Sequence, residues 1–192
     1  MRIWGGGVSD SITVRTASKE DADSIARVSV RTWRATYRGM LPDDFLDHFG
    51  DDIESRTQRW RARLPERGPN FTLVAASDLE GVIGFASGGP DRQDPTFREI
   101  YALYVLPACH GQGVGRRLVR AMAWALARRG AAPLRVWVLS ANPSRGFYER
   151  LGGRAEGVRI RDIGGAEVEE TAYQWASIDA LVSSPVVNRC NR

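Results

Sequence analysis

The stretch VLPACHGQGVGRR, residues 105–117, sets Gly111, Gly113 and Gly115 at alternate positions and follows them with Arg116 and Arg117. Glycines ahead of a helix suit an anion. Without side chains, backbone N–H groups can approach phosphate oxygens, and a helix N-terminus adds partial positive charge. Arginine forks strengthen the same field. Two well-known phosphate loops do not fit. A Walker loop ends in Gly-Lys-Ser/Thr, whereas Gly115 is followed by Arg116 and Arg117. A dinucleotide fingerprint needs G-x-G-x-x-G after an early strand; G-Q-G-V-G is one residue short and lies past the middle of the chain. Metal and covalent chemistry have little material here. His48, His110, Cys109 and Cys190 form no zinc-ligand pattern, so no metal is expected. No His–Asp pattern surrounds Cys109, which reads as a small, half-buried filler.

Such a loop has to be held between a strand and a helix. REIYALYVL (98–106) is rich in β-branched and aromatic residues, and Pro107 closes it. After the glycines, Val114, Leu118, Met122 and Leu126 recur one turn apart, which predicts an amphipathic helix running to Gly130. Upstream, ITVRTA (12–17) alternates like a half-buried strand. Ser18 and Asp21 mark a helix start, and the helical spacing of Ile25, Val28 and Tyr37 carries that helix to Gly39. Residues 43–64 predict a helix pair, or one bent helix, interrupted at Gly50. FTLVAAS (71–77) and VIGFASGG (82–89) flank Asp78-Leu79-Glu80-Gly81 as a hairpin, and residues 90–96 form a loop. LRVWVL (134–139) reads as a strand; SANPSRGFYERLGG then predicts a short helix with Pro143 in its first turn and a stop at Gly152. GRAEGVRIRDI and EVEETAYQWA alternate across Gly164-Gly165 as a last hairpin. Successive hairpins cannot all be parallel, so this order predicts one α/β domain with a mixed sheet.

The bulk properties set limits on function. The 192 residues are 43% hydrophobic and 26% charged and include six tryptophans, which supports one well-buried domain. The formal charge of +4 comes from 27 basic and 23 acidic residues, and Lys19 is the only lysine. An arginine excess suits phosphate oxygens, but no clustered basic run marks a nucleic-acid site. No apolar run is long enough for a membrane span, and MRIWGGGVSD lacks a signal-peptide core. Two separated cysteines fit a reducing compartment, so a cytoplasmic protein is expected.

H-G-Q-G-V-G (110–115), between LYVLP and an amphipathic helix, resembles the cofactor loop of the GNAT superfamily of acyl-CoA-dependent N-acyltransferases, with His110 where relatives place Arg or Gln. N-P-S-R-G-F-Y-E-R-L-G-G (142–153) resembles a second segment of that superfamily, with Gly153 in place of a common phenylalanine. The resemblance covers residues 12–176, leaving an N-terminal arm at 1–11 and a C-terminal tail at 177–192.

It implies a mostly antiparallel sheet of about seven strands, splayed between the fourth and fifth and flanked by about four helices. Acetyl-CoA is the implied cosubstrate. Its pantetheine arm would meet the backbone of Leu103, Tyr104 and Val105 and the side chain of Asn142. Its pyrophosphate would rest on the amides from Gln112 through Gly113, Val114 and Gly115 to Arg116, with Gly111 and His110 at the edge of the loop. Glu99, taken to share a strand face with Tyr101, Leu103 and Val105, is the implied general base. Tyr148 is the implied general acid, and the Val105 N–H would polarise the thioester carbonyl. Trp33, Tyr37 and Asp43, with Glu99, are the acceptor-side candidates. Glu167, Glu169 and Glu170 offer either attraction for a cationic amine or plain strand alternation.

The expected activity is direct acetyl transfer, through a ternary complex, to a primary amine of a small molecule, in a monomer or a homodimer. W-R-A-T-Y-R-G-M-L-P (33–42) and E-I-Y-A-L-Y-V look most like the bacterial small-molecule branch. Acetylation of protein N-termini or lysines is the alternative. A non-catalytic acyl-CoA sensor is the alternative from another class.

Overall fold

In the computed structural model, residues 11–64, 68–130, 132–178 and 181 are described. Most of the arm and tail expected at the two ends lies outside these residues. Seven strands, β1 (Ile12–Thr16), β2 (Phe71–Ser77), β3 (Gly81–Pro90), β4 (Arg98–Val105), β5 (Leu134–Leu139), β6 (Arg154–Ile163) and β7 (Ala166–Trp175), make one sheet in the order β1-β2-β3-β4-β5-β7-β6. Every neighbouring pair is antiparallel except β4 and β5. That parallel pair needs a long crossover. Among α1 (Ala22–Thr36), α2 (Asp43–His48), α3 (Ile53–Arg63), α4 (Val114–Ala127) and α5 (Arg145–Arg150), helix α4 supplies it. The described residues thus hold five α-helices, because residues 43–64 split into α2 and α3.

Local chemistry explains the helix ends. The Ser18 N–H donates to Asp21 Oδ2 at 2.8 Å, and Arg15 donates to both Asp21 oxygens at 2.7 and 2.8 Å. The Arg15 hydrogen bonds hold the Asp21 carboxyl below its ordinary range despite partial burial. Helix α1 stops at Thr36 rather than Gly39. The chain turns there, with the N–H groups of Met40 and Leu41 both donating to Tyr37 O, and Gly39 takes a φ of 78°. Helix α5 starts later than the proline suggested: Pro143 precedes the N-cap Ser144, whose N–H donates to Asn142 Oδ1 at 2.8 Å.

The apolar face of α4 packs on the sheet, with Leu118, Met122 and Leu126 fully buried. Ile178 and Leu181 join the same core, although they fall in the stretch read as tail. On the opposite face α1 and α2 cover a smaller cluster of Leu41, Leu46 and Leu139. One irregularity matters for function. Along β3, Phe85, Ser87 and Gly89 face Tyr104, Ala102 and Glu99, so Tyr101 is an extra residue in β4. A bulge of this kind reverses the alternation of side chains. Glu99 therefore shares its face with Ala102 and Tyr104, not with Leu103 and Val105 as unbroken alternation implied.

Candidate active site

Strands β4 and β5 pair at only three positions, Arg98↔Leu134, Glu99↔Arg135 and Ile100↔Val136. Beyond them β4 stays with β3 as far as Val105, and β5 stays with β7 as far as Leu139. The two strands separate and leave facing backbone edges unpaired. A cleft of about 550 Å³ fills this opening. It brings together Leu103, Tyr104, Val105, His110, Gly111, Gly113, Val114, Gly115, Arg116, Asn142 and Tyr148, with Tyr37 at its α1 side.

The glycines at the start of α4 serve different needs. Gly111 and Gly113 have φ of 77° and 80°, a left-handed conformation that glycine adopts without strain. At Gly115 a Cβ would press on Phe147 Cζ at 3.3 Å, so the missing side chain lets α5 approach the start of α4. Gly113 is the N-cap of α4; no side chain caps that helix and no acid sits in its first turn. Its first amides are available to an anion. Arg116 lines the cleft, whereas Arg117 turns away and donates to Ile12 O at 2.7 Å. The Gln112 side chain folds back, donating to Ala108 O at 3.1 Å, and does not line the cleft.

His110 has a defined place. Its Nε2 lies 2.9 Å from Val105 O and acts as the donor, tying the loop to the last carbonyl of β4. Replacing His110 with Ala should weaken binding of the acetyl-CoA expected from the sequence about two- to tenfold, the worth of one hydrogen bond. Titration calorimetry measures this, and unchanged affinity would show that the tie is dispensable.

Tyr148 reaches the cleft from α5. Its ring stacks on Tyr173 at 5.7 Å and meets Phe147 edge-on at 5.0 Å. Burial pushes its hydroxyl well above the usual tyrosine range. Desolvation, the leading cause, also raises Tyr37 and Tyr104. The Gly153 departure has a physical reason: a Cβ there would lie 2.7 Å from Trp175 Cζ2. Trp175 fills that space and donates from Nε1 to Leu151 O at 2.9 Å.

The acceptor-side candidates separate. Trp33 lies outside the cleft lining, stacked on Phe49 at 4.3 Å, and the exposed Asp43 pairs with Arg38 at 3.0 Å. Glu99 is buried but also outside the lining, in the closed part of the β4–β5 seam. Its carboxylate accepts the Arg92 N–H at 3.3 Å, and burial raises its pKa above the ordinary value. Glu167 and Glu169 are exposed, whereas Glu170 is buried and accepts from Arg159 Nε at 2.6 Å. Thr32, Thr36 and Trp137 line the cleft without having been singled out. For Trp137 a signal existed, since it alternates with Arg135 and Leu139 along one strand. Cys109 is a buried thiol whose Sγ lies 3.9 Å from Glu80 Oε2. Among the described residues no three His, Cys, Asp or Glu side chains gather as a metal-ligand group, and no helix is long and apolar enough to cross a membrane.

Comparison with known proteins agrees with this geometry. The chain is 33% identical over 172 residues to the uncharacterized N-acetyltransferase YuaI of Bacillus subtilis, covering 88% of this chain and 96% of that protein. Two solved structures share the fold. PaiA N-acetyltransferase of Thermoplasma acidophilum, solved in complex with coenzyme A, superposes with a TM-score of 0.64 at 20% identity, covering 86% of this chain and 99% of that one. YncA of Salmonella typhimurium, a putative acetyltransferase solved with acetyl-CoA, gives a TM-score of 0.64 at 20% identity, with 94% and 99% covered. The sequence model of the acetyltransferase (GNAT) family matches residues 30–153, which span the splayed strands, the glycine loop and the Tyr148 helix. The chain is an N-acetyltransferase and belongs to the GNAT family.

Proposed function

We propose that this enzyme uses acetyl-CoA to acetylate a primary amine of a small-molecule acceptor by direct transfer in a ternary complex. The observation that carries the reading is the seam, where β4 and β5 part after Ile100 and Val136 beside the uncapped start of α4. Bound acetyl-CoA supplies an activated thioester, so no covalent enzyme intermediate is required. The unpaired edge at Leu103, Tyr104 and Val105 takes the pantetheine amides. The amides from Gln112 to Arg116 take the pyrophosphate, with the Arg116 charge beside them. Asn142 Oδ1 is committed to Ser144 N–H, which leaves its NH2 group for a pantetheine carbonyl. The Val105 N–H polarises the thioester carbonyl. Tyr148 keeps its proton on the phenolic oxygen through neutral pH and presents it to the departing sulfur.

An alkylammonium must lose a proton before it attacks. Glu99 receives it through a water, because its carboxylate stands outside the cleft lining. Glu99→Gln should lower kcat/KM for the amine about a hundredfold near neutral pH. The sign of the pH effect is fixed. A base works when deprotonated, so parent activity climbs as pH rises through the elevated Glu99 pKa, and the variant loses that limb. Parallel pH profiles for parent and variant would remove Glu99 from the account.

The direct test is calorimetry with acetyl-CoA, followed by an amine panel read by thiol release. Binding followed by turnover of small amines supports the reading. Turnover confined to peptide N-termini or lysines would move it to protein acetylation, and binding without any turnover would make the chain a sensor.

A further inference from the structure

The sheet face covered by α1 and α2 carries hydrogen-bond donors that the steps above leave unused. Arg135, Trp137 and Leu139 alternate onto this face, and Leu139 packs there with Leu41 and Leu46. Glu170 pairs with Leu139 across β5 and β7, and Arg159 pairs with Glu170 across β6 and β7, so both side chains stand on the same face. Trp137 lines the cleft, yet its indole N–H is buried with no hydrogen-bond partner among the described residues. Arg135 Nε is in the same condition. Arg159 spends only Nε, on Glu170 Oε2 at 2.6 Å, and its guanidinium carbon sits 4.1 Å over the Trp137 ring. Its two terminal nitrogens make no hydrogen bond to another described residue.

A buried donor without a partner is costly, and native proteins rarely keep one without a use. Here the residue that bears an orphan indole N–H lines the cleft, and a half-spent, planar guanidinium stacks on its ring from just outside that lining. A guanidinium fork matches the two oxygens of a carboxylate. The ion pair with Glu170 and the stacking on Trp137 already fix that fork, so a ligand spends little in ordering it. The same fork disfavours an acceptor that is cationic at both ends, because the second ammonium would meet Arg159.

Building on the acetyltransferase reading, we infer that the acceptor amine also carries a carboxylate-type anion, held by the terminal nitrogens of Arg159 and the indole N–H of Trp137. Glu170 is a positioning residue that orients Arg159. The amine then points along the cleft toward the seam.

The test measures thiol release from acetyl-CoA with matched acceptors: leucine, leucinamide and isoamylamine, and phenylalanine, phenylalaninamide and phenylethylamine. The amides, whose amines are less basic than those of the acids, control for the free-base fraction. In at least one series, kcat/KM should favour the carboxylate over both relatives about tenfold to a hundredfold. Arg159→Lys and Trp137→Phe should each shrink that preference about tenfold, mainly through KM of the carboxylate member. Acetyl-CoA binding by each variant reports that it is folded. Absence of a carboxylate preference in every series, including the case in which no member is acetylated, overturns the inference. So does a preference that survives both substitutions. Failure of the parent protein to bind acetyl-CoA would instead remove the acetyltransferase reading itself.

Discussion

Tyr148→Phe is expected to cut acetyl transfer about a hundredfold, with the loss in kcat rather than in KM for acetyl-CoA. The substitution is nearly free of packing cost. The ring stacks on Tyr173, meets Phe147 edge-on and lies 6.5 Å from Trp175, and phenylalanine keeps all three contacts. Only the O–H is lost. Because burial holds its pKa well above the usual tyrosine range, Tyr148 stays protonated across any ordinary assay pH. A fall in activity at alkaline pH must therefore come from another group, and the Phe variant should retain the shape of the pH profile while losing its height. Steady-state rates of thiol release give the answer. A variant with parental kcat would show that the departing sulfur finds its proton elsewhere.

Phe85→Ala carries the largest expected effect on stability. Phe85 is fully buried in β3, with Trp60 5.3 Å and Tyr104 5.5 Å away, both edge-on. Removing a buried phenylalanine ring costs about 3–5 kcal/mol, transfer and cavity together. That is a large share of the roughly 5–15 kcal/mol that holds a domain folded. At about 2–4 °C per kcal/mol for a chain of this size, the melting temperature should fall by roughly 6–20 °C. Thermal denaturation followed by circular dichroism measures it. A fall below about 2 °C would mean that Trp60 and Tyr104 close over the gap, contrary to the usual rigidity of cores. Since Tyr104 lines the cleft, surviving Phe85→Ala protein should also bind acetyl-CoA less tightly.

The strands and helices were legible because their signals are local. Alternation marked β1 and the terminal hairpin, helical spacing marked α1 and α4, and glycines marked the stops. The glycine loop and the Tyr148 segment were legible as well, since each is a short contiguous motif. What could not be read depends on partners distant in the chain. The extra residue at Tyr101 has no signature of its own and exists only relative to β3, yet it decides which face Glu99 occupies. Gly153 looked like an unexplained departure until Trp175, more than twenty residues later, supplied the bulk. Trp33 has the composition of a binding residue, but Phe49 stacks on it. Arg159 and Glu170 gave no local hint of meeting, because their pairing follows from the register of the last hairpin.

The contacts of Trp175 and Tyr173 bear on the order in which the cleft is assembled. Trp175 bonds to Leu151 O, and the Tyr173 hydroxyl donates to Glu149 at 3.0 Å while its ring supports Tyr148. Two residues of β7 thus clamp the short helix that carries Tyr148. In chain order the glycine loop and the Tyr148 helix precede β7, so that helix lacks both contacts until β7 has been made and has docked on β5. The Tyr148 helix is therefore seated by chain that follows it, and a protein cut short before β7 loses the contacts that hold Tyr148 in place.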